Sequence, residues 1–328
     1  MDAVFSRRRL IDPVRLRRLN QRSDLRGALQ LGSHLGAIAL AAWALHATMG
    51  TVWAAAPFLA LGVLINFLYA GQHELSHGTV FRSKVANVLF GRIIGFVLLY
   101  PRDFDKIQHW AHHQHTQNWE KDGELVREPY TLTSYLLWFW GPTYWWSRVR
   151  RILRFSAGIV TEPYIRSDEH GLVIREARIH LGLYALIAAV SVEAGSWAAV
   201  TYWLGPMLLT KFVHQLQNTI EHLGLSHEDD ILENTRSTRT NALLRWLCWQ
   251  MPYHTAHHAF PSVPFWKLKQ LDAEIRSRSP KPVHEMGWIE FQVELLRKLS
   301  GGKSEADYPM NEVWIAPRNG VLERLPAA

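Results

Sequence analysis

The chain has 328 residues, of which 48% are hydrophobic and 12% aromatic, with 15 tryptophans and a formal net charge of +7. Cys248 is its one cysteine, which excludes an internal disulfide, a rubredoxin-like or ferredoxin-like iron site and a Cys-rich zinc module. Any metal must therefore be held by other side chains, and 17 histidines are the candidates.

The distribution of charge near the N-terminus indicates a membrane boundary. Eight arginines lie within residues 7–26, and no Asp, Glu, Lys or Arg occurs in residues 27–72. A net positive charge could suit nucleic acid, a membrane or an acidic partner. This distribution favours the membrane, and no nucleic-acid partner is predicted. Residues 1–30 are predicted to be a basic cytoplasmic segment.

Two long apolar stretches each predict a membrane hairpin. A helix needs about 20 mostly apolar residues to cross the hydrocarbon core of a bilayer. The first stretch gives spans at about 31–49 and 52–70, and the second gives spans at about 179–192 and 197–217. The predicted fold class is therefore all-α, an integral membrane protein with four transmembrane helices in two hairpins and a cytoplasmic helical cap.

The basic residues predict the orientation of the hairpins. Lys and Arg near span ends favour the cytoplasmic side, and they are concentrated outside the two hairpin tips. Both termini and the cap are thus predicted to be cytoplasmic, at what we expect to be a bacterial inner membrane. The membrane domain is assigned to residues 31–275, and residues 276–328 to a cytoplasmic C-terminal tail.

Two further apolar segments are too short to span a bilayer. Residues 85–100 contain Arg92, so we expect a helix that packs within the cytoplasmic half or is re-entrant. Residues 135–146 are rich in aromatic side chains and precede several arginines. They predict an interfacial amphipathic helix, with a buried aromatic core segment as the alternative.

Nine histidines form four groups on the predicted cytoplasmic side. Two His-x-x-His-His boxes, one His-x-x-x-His pair and one histidine after the fourth span comprise His73, His77, His109, His112, His113, His222, His254, His257 and His258. Spacings of three and four residues place rings on one helix face. Neutral imidazole suits iron, zinc, copper and nickel, but one tetrahedral zinc takes only three or four protein ligands. The number of imidazoles predicts a dinuclear centre holding two iron ions.

Other classes of metal protein account for this pattern of residues less well. His73-Glu74-Leu-Ser-His77 alone matches the HExxH motif of zinc proteases, with Glu74 as base, but seven clustered histidines would be left over. A soluble di-iron bundle needs two Glu-x-x-His motifs, and only Glu74 to His77 fits. A histidine-rich metal transporter should line an intramembrane path with polar residues, and the spans offer few.

The order of these boxes between two hairpins resembles the membrane fatty-acid desaturase and hydroxylase superfamily, which are integral membrane oxidases with histidine boxes. The resemblance covers roughly residues 50–275. The segment from His254 to Pro264 is similar to the acyl-lipid desaturases, in which His-x-x-His-His precedes Pro-x-x-Pro. The segments His73 to His77 and Asn218 to Gly224 look like the alkane-monooxygenase branch.

The resemblance implies a di-iron centre that activates oxygen, with the nine histidines as ligands and Asn218 as a candidate for holding a water at one iron. Because metal-bound histidine donates its other N–H to a neighbouring group, four residues are candidates for supporting the ligands: Glu74, His115, Asp122 and Glu221.

The activity that the resemblance implies is O2-dependent desaturation of a long-chain lipid or fatty-acyl substrate within the membrane, with hydroxylation of a hydrocarbon or lipid as the alternative. Electrons are expected from a separate donor of the ferredoxin, rubredoxin or cytochrome b5 type. The basic cytoplasmic face would suit an acidic carrier.

Overall fold

The computed structural model describes residues 10–125, 127–227, 229–279 and 281–305. These residues are mostly helical, which confirms the all-α prediction. Their strand content is one parallel pair of two-residue strands, β1 (Ser237–Thr238) and β2 (Glu285–Met286). The arginines at positions 7–9 and the last 23 residues of the predicted tail, 306–328, lie outside the described residues.

The first predicted hairpin is present as two long apolar helices. After the short helix α1 (Pro13–Leu19), the hairpin consists of α2 (Asp24–Thr48), a 3-10 turn (Val52–Ala54) and α3 (Ala55–His77). The Ser23 hydroxyl accepts from the Arg26 amide at the start of α2. Gly78 ends α3 in the left-handed conformation, with φ of 68°, which glycine adopts without steric cost. Both helices are long and apolar enough to cross a membrane.

The next two helices form a sharp bend beside this hairpin. Helices α4 (Lys84–Val97) and α5 (Arg102–Gln114) meet at an angle of 101°. The start of α5 is held by Glu176, whose carboxylate accepts from the backbone amides of Arg102 and Asp103. This bend leaves α4 too short to cross a bilayer by itself, and the expectation of a packed or re-entrant helix stays a prediction.

The aromatic segment 135–146 forms two helices instead of the one that was predicted. Helix α6 (Leu132–Phe139) and helix α7 (Pro142–Ser156) are separated at Gly141, whose φ is 107°. Pro142 follows at the first turn of α7, where a missing N–H carries no penalty. Tyr144 is buried while Trp140 and Trp146 are exposed, so the segment has both core and surface positions.

The described residues contain fewer candidate membrane spans than the four transmembrane helices that the sequence predicts. By length and apolarity two helices could cross a membrane, or three if the bent pair α4 and α5 counts as one span. Helix α8 (His170–Glu193) holds the predicted third span, but Arg175, Glu176 and Arg178 make its first turns polar.

The predicted fourth span, 197–217, is broken. It consists of a π-helical turn (Val200–Leu204), α9 (Gly205–Leu209) and α10 (Lys211–Ile220). Pro206 lacks an amide proton for helix formation. Thr210 leaves the helical path between α9 and α10, and its hydroxyl donates to the Pro206 carbonyl at 2.9 Å. Pro206 and Thr210 therefore interrupt a segment that hydropathy alone predicts as one continuous helix.

The C-terminal elements follow these helices in the chain. They are α11 (Ile231–Asn234), β1, α12 (Ala242–Leu247), α13 (His254–Ala259), a 3-10 turn (Phe265–Lys267), α14 (Leu268–Arg278), β2 and α15 (Trp288–Ser300). Trp249 is fully buried and packs so closely on α3 that a Cβ on Gly71 would lie 2.8 Å from its ring. This packing brings α13 against the end of α3, where the histidines begin.

Candidate metal centre

The nine histidines converge from four helical regions into two adjacent groups. The first group, in which all ligand nitrogens lie within 4.8 Å of one another, is His73, His77, His109, His113 and His257. The second, by the same measure, is His112, His222 and His258. His254 joins the second group, because its Nε2 lies 2.8 Å from Nε2 of His222.

Helix geometry divides each His-x-x-His-His box between the two groups. At 3.6 residues per turn, positions four apart point about 40° from each other, whereas neighbours point about 100° apart. His109 and His113 on α5 therefore share the first group, and His112 faces the second. On α13, His254 and His258 share the second group, and His257 faces the first.

The spacing of the ring nitrogens fits metal ligation. Two nitrogens bound at right angles to one metal at about 2.1 Å lie about 3 Å apart. In the first group, Nε2 of His109 lies 2.8 Å from that of His77 and 2.9 Å from that of His113. In the second group, Nε2 of His222 lies 3.1 Å from that of His112. Nε2 of His258 is buried without a hydrogen-bond partner.

The electrostatics of several of the buried rings also fit metal ligation. Burial, helped by the neighbouring His112, lowers the pKa of the His222 imidazole to about 3. Burial and adjacent imidazoles likewise lower the pKa of His257 and of His258 well below the usual value. Neutral imidazole is the form that binds metal, so the protein keeps these rings in the ligand state.

Carboxylates lie on the outer side of several rings. Both carboxylate oxygens of Asp122 are 2.9 Å from Nδ1 of His112, and Glu124 is 3.2 Å from Nδ1 of His109. Glu221 lies 3.4 Å from Nδ1 of His254. An Nδ1–H that donates outward leaves the Nε2 lone pair directed inward, the arrangement typical of metal-bound histidine.

Glu74 occupies a position between two rings of the first group. It is fully buried, and its Oε1 lies 3.5 Å from Nδ1 of His257 and 3.7 Å from Nδ1 of His73. Its other oxygen accepts from the Thr79 hydroxyl at 2.7 Å. The glutamate of the HELSH motif is thus beside the outer nitrogens of two clustered histidines.

Two ring partners that are not carboxylates were not predicted from the sequence. Nδ1 of His222 lies 2.9 Å from the backbone carbonyl of Asn234, to which it can donate. The Thr116 hydroxyl is 3.3 Å from Nδ1 of His258. A backbone carbonyl carries no residue-type signature, so no sequence signal could have identified Asn234. Thr116 follows a histidine box and could have been considered for that reason.

Two predicted site residues are placed differently from the rest. His115 is exposed and belongs to neither group, because α5 ends at Gln114 and His115 leaves the helical face. Its support of a ligand stays a prediction. Asn218 lies one turn before His222 and lines the same cavity as His112 and His222.

That cavity has a volume of about 550 Å³, within the range of small-molecule sites. Its wall combines two histidines of the second group, His112 and His222, with aromatic and charged side chains, among them Tyr100, Tyr144, Trp138, Arg148 and Arg151. A substrate in this space would lie directly beside the candidate metal centre.

Comparison with known proteins shows that the chain is similar to desaturases. The family model described as "Fatty acid desaturase" matches residues 50–290. An sn-1 oleoyl-lipid 12-desaturase from Synechocystis sp. is 22% identical, over 84% of this chain and 79% of the relative. A dihydrorhizobitoxine desaturase from Bradyrhizobium elkanii is 26% identical, over 71% of each chain. An sn-1 acyl-lipid omega-3 desaturase (ferredoxin) from Synechocystis sp. is 23% identical, over 67% of this chain and 66% of the relative.

Proposed function

The chain belongs to the fatty acid desaturase family, and from this premise we propose that it is an O2-dependent di-iron oxidoreductase that desaturates a long-chain lipid or fatty-acyl substrate within the membrane. The observation that carries the proposal is the convergence of nine imidazoles into two adjacent groups. One iron would be held by the five histidines of the first group and the other by the four of the second, with Asn218 holding a water.

The bound iron pair would supply oxygen activation and the removal of hydrogen from an unactivated C–H bond. The chain's own groups prepare the site for this chemistry. Asp122, Glu124 and Glu221 lie beside Nδ1 atoms and orient the rings. The cavity beside His112 and His222 would hold the reacting part of the substrate.

The proposal includes a second membrane hairpin formed by α8 and the broken helix that follows it. Its support is a row of exposed apolar side chains along α8, including Leu186, Val190 and Val192, which are 58%, 58% and 82% exposed. Apolar surface of this extent suits contact with lipid. Lys and Arg flank the hairpins away from their tips, so the metal centre would be on the cytoplasmic side of a bacterial inner membrane.

Electrons would come from a separate protein of the ferredoxin, rubredoxin or cytochrome b5 type. The name of one relative includes ferredoxin, which supports the first of these. The excess of Lys and Arg, 36 against 29 Asp and Glu, suits docking of an acidic carrier.

The test combines metal analysis with lipid analysis. The purified full-length protein should contain about two irons per chain, whereas one zinc per chain would favour the protease alternative, and variable, loosely held metal a transporter. Mass spectrometry of lipids from cells with and without the protein should show loss of two hydrogens. Gain of one oxygen would identify a hydroxylase instead. Iron-free protein with unchanged lipids would refute the proposal.

A further inference from the structure

Arg148 is a buried arginine in the wall of the cavity beside the metal centre. It lies on α7 one turn after Tyr144, and its side chain is only 8% exposed. The guanidinium carbon is 3.8 Å from the ring centroid of Tyr100 and 3.8 Å from that of Tyr144. Two aromatic rings therefore hold the guanidinium in place, since cations bind favourably over aromatic faces.

No carboxylate within the described ranges lies at ion-pair distance from Arg148, and its Nε has no hydrogen-bond partner there. The other two arginines that line the cavity each have a carboxylate nearby. Arg127 is paired with Glu305 at 2.7 Å, and Arg151 lies 4.0 Å from Glu162. A buried charge is costly unless a counter-charge accompanies it, so the part of the cavity beside Arg148 suits an anion.

The acidic residues of the same wall do not supply that counter-charge. Asp122 and Glu124 are engaged with His112 and His109. A second basic side chain, Lys211, is also buried beside Tyr144, with its Nζ 3.8 Å from the ring centroid. Lys211 already donates to Nδ1 of His214 at 2.9 Å. Among the three arginines that line the cavity, Arg148 is thus the one without a carboxylate at ion-pair distance in the described ranges.

We propose that Arg148 binds an anionic group, a carboxylate or a phosphate, that the substrate carries into the cavity. The guanidinium offers paired N–H donors that match either group. The inference rests on the proposed function, because His112, His222 and Asn218 line the same cavity. It defines the substrate as an anionic amphiphile, either a free acid or a lipid with an anionic headgroup, and disfavours a neutral hydrocarbon.

The test measures binding rather than turnover. Full-length protein in detergent is titrated with radiolabelled hexadecanoate, hexadecyl phosphate and the neutral methyl hexadecanoate. We expect an anion to bind at least about 10-fold more tightly than the ester. Arg148→Gln should weaken anion binding roughly 10- to 100-fold and leave ester binding unchanged. Arg150 is exposed on the same helix. Arg150→Gln removes the same charge and should change neither anion binding nor ester binding.

Competition then identifies the source of the anion. If nanodiscs of phosphatidylglycerol displace bound hexadecanoate and those of phosphatidylcholine do not, the site takes an anionic headgroup. If neither displaces it, the site takes the free acid. Equal binding of hexadecanoate and its ester, or equal losses in Arg148→Gln and Arg150→Gln, would overturn the inference.

Iron content and thermal stability are measured on the same samples. If Arg148→Gln does not fold, Arg148→Lys provides the test. It keeps the charge without the paired donors, so about 10-fold weaker anion binding with unchanged ester binding is expected. If the protein binds two irons but shows no preference for the anion over the ester, the role of Arg148 is refuted and the proposed function is not. An Arg148-dependent anion preference in a protein that never binds iron would refute the proposed function alone.

Discussion

Adjacent histidines of one box serve different groups in this protein. His112 and His113 are neighbours in the chain, yet His112 lies with His222 and His258 while His113 lies with His109 and His257. Each box therefore contributes to both proposed metal positions. A single histidine substitution should therefore remove the metal from one position only. The direction in which the substituted ring points determines which of the two positions loses its metal.

The variants His257→Ala and His112→Ala test this assignment. His257→Ala should remove the iron of the first group and His112→Ala that of the second, so each should lower the iron content by about half and abolish turnover. His170→Ala is the control, because His170 begins α8 and belongs to neither group. Metal analysis per chain and lipid turnover are the measurements. Retained turnover in His257→Ala or in His112→Ala would show the ligand assignment to be wrong.

Glu74 distinguishes the di-iron proposal from a zinc protease. Glu74→Gln preserves the shape of the side chain but removes the negative charge beside His73 and His257. Loss of an outer partner typically costs roughly 10- to 100-fold in metal affinity or activity, and we expect a reduction of that size in iron affinity and turnover.

The matched control for this substitution is Glu120→Gln. Glu120 follows the second histidine box but is exposed, so its substitution should leave both measurements unchanged. Total loss of activity in Glu74→Gln with full metal retention would instead indicate that Glu74 acts as a catalytic base.

At the scale of secondary-structure elements, the contact between α3 and α9 explains how a broken helix is stable. Asn66 on α3 donates through its side-chain amide to the Met207 carbonyl at 2.8 Å and to the Thr210 hydroxyl at 3.1 Å. Where a helix in a membrane is interrupted, neighbouring groups must satisfy the freed backbone. This polar residue, which could have indicated a transport path, has a structural role.

Gly62 permits the close approach of the same two helices. A Cβ at this position would lie 2.1 Å from the Pro206 carbonyl oxygen, so Gly62→Ala must push α9 away from α3. We expect a loss of about 1–3 kcal/mol in the free energy of unfolding, seen as a lower melting temperature in detergent. Gly36→Ala on α2 is the control, since a Cβ there meets nothing within 4 Å. Equal melting temperatures of the two variants would contradict the contact.

At the scale of the whole molecule, the proposed topology places both hairpin tips on one side of the membrane and the metal centre on the other. The chain suits cysteine labelling, because Cys248 is its one cysteine and is fully buried. Exposed positions are available at the first tip (Thr51), at the second tip (Ser196) and on α14 (Ser277).

Single-cysteine variants at these three positions test the topology. In intact cells an impermeant maleimide should label Thr51→Cys and Ser196→Cys, whereas Ser277→Cys should react only after permeabilisation. Protection of Ser196→Cys together with labelling of Thr51→Cys would show that the second hairpin does not cross. Unmodified protein, which retains Cys248, is the control for background labelling.

The sequence by itself determined the features that depend on local spacing and composition. Uninterrupted apolar length predicted the helices α2 and α3. Intervals of three and four residues predicted which histidines could share a helix face, and the number of histidines predicted a dinuclear site, which remains a proposal. These inferences need no knowledge of how distant segments meet, because helix periodicity and bilayer thickness set them.

Only the tertiary structure decided the features that depend on contacts between distant segments. The Asn234 carbonyl beside His222, the break between α9 and α10 that Asn66 supports, and the exposed position of His115 are of this kind. So is the buried Nε of Arg148, which has no hydrogen-bond partner among the described residues. A residue's partners come from chain segments that sequence spacing does not relate, and burial determines whether an unpaired charge matters.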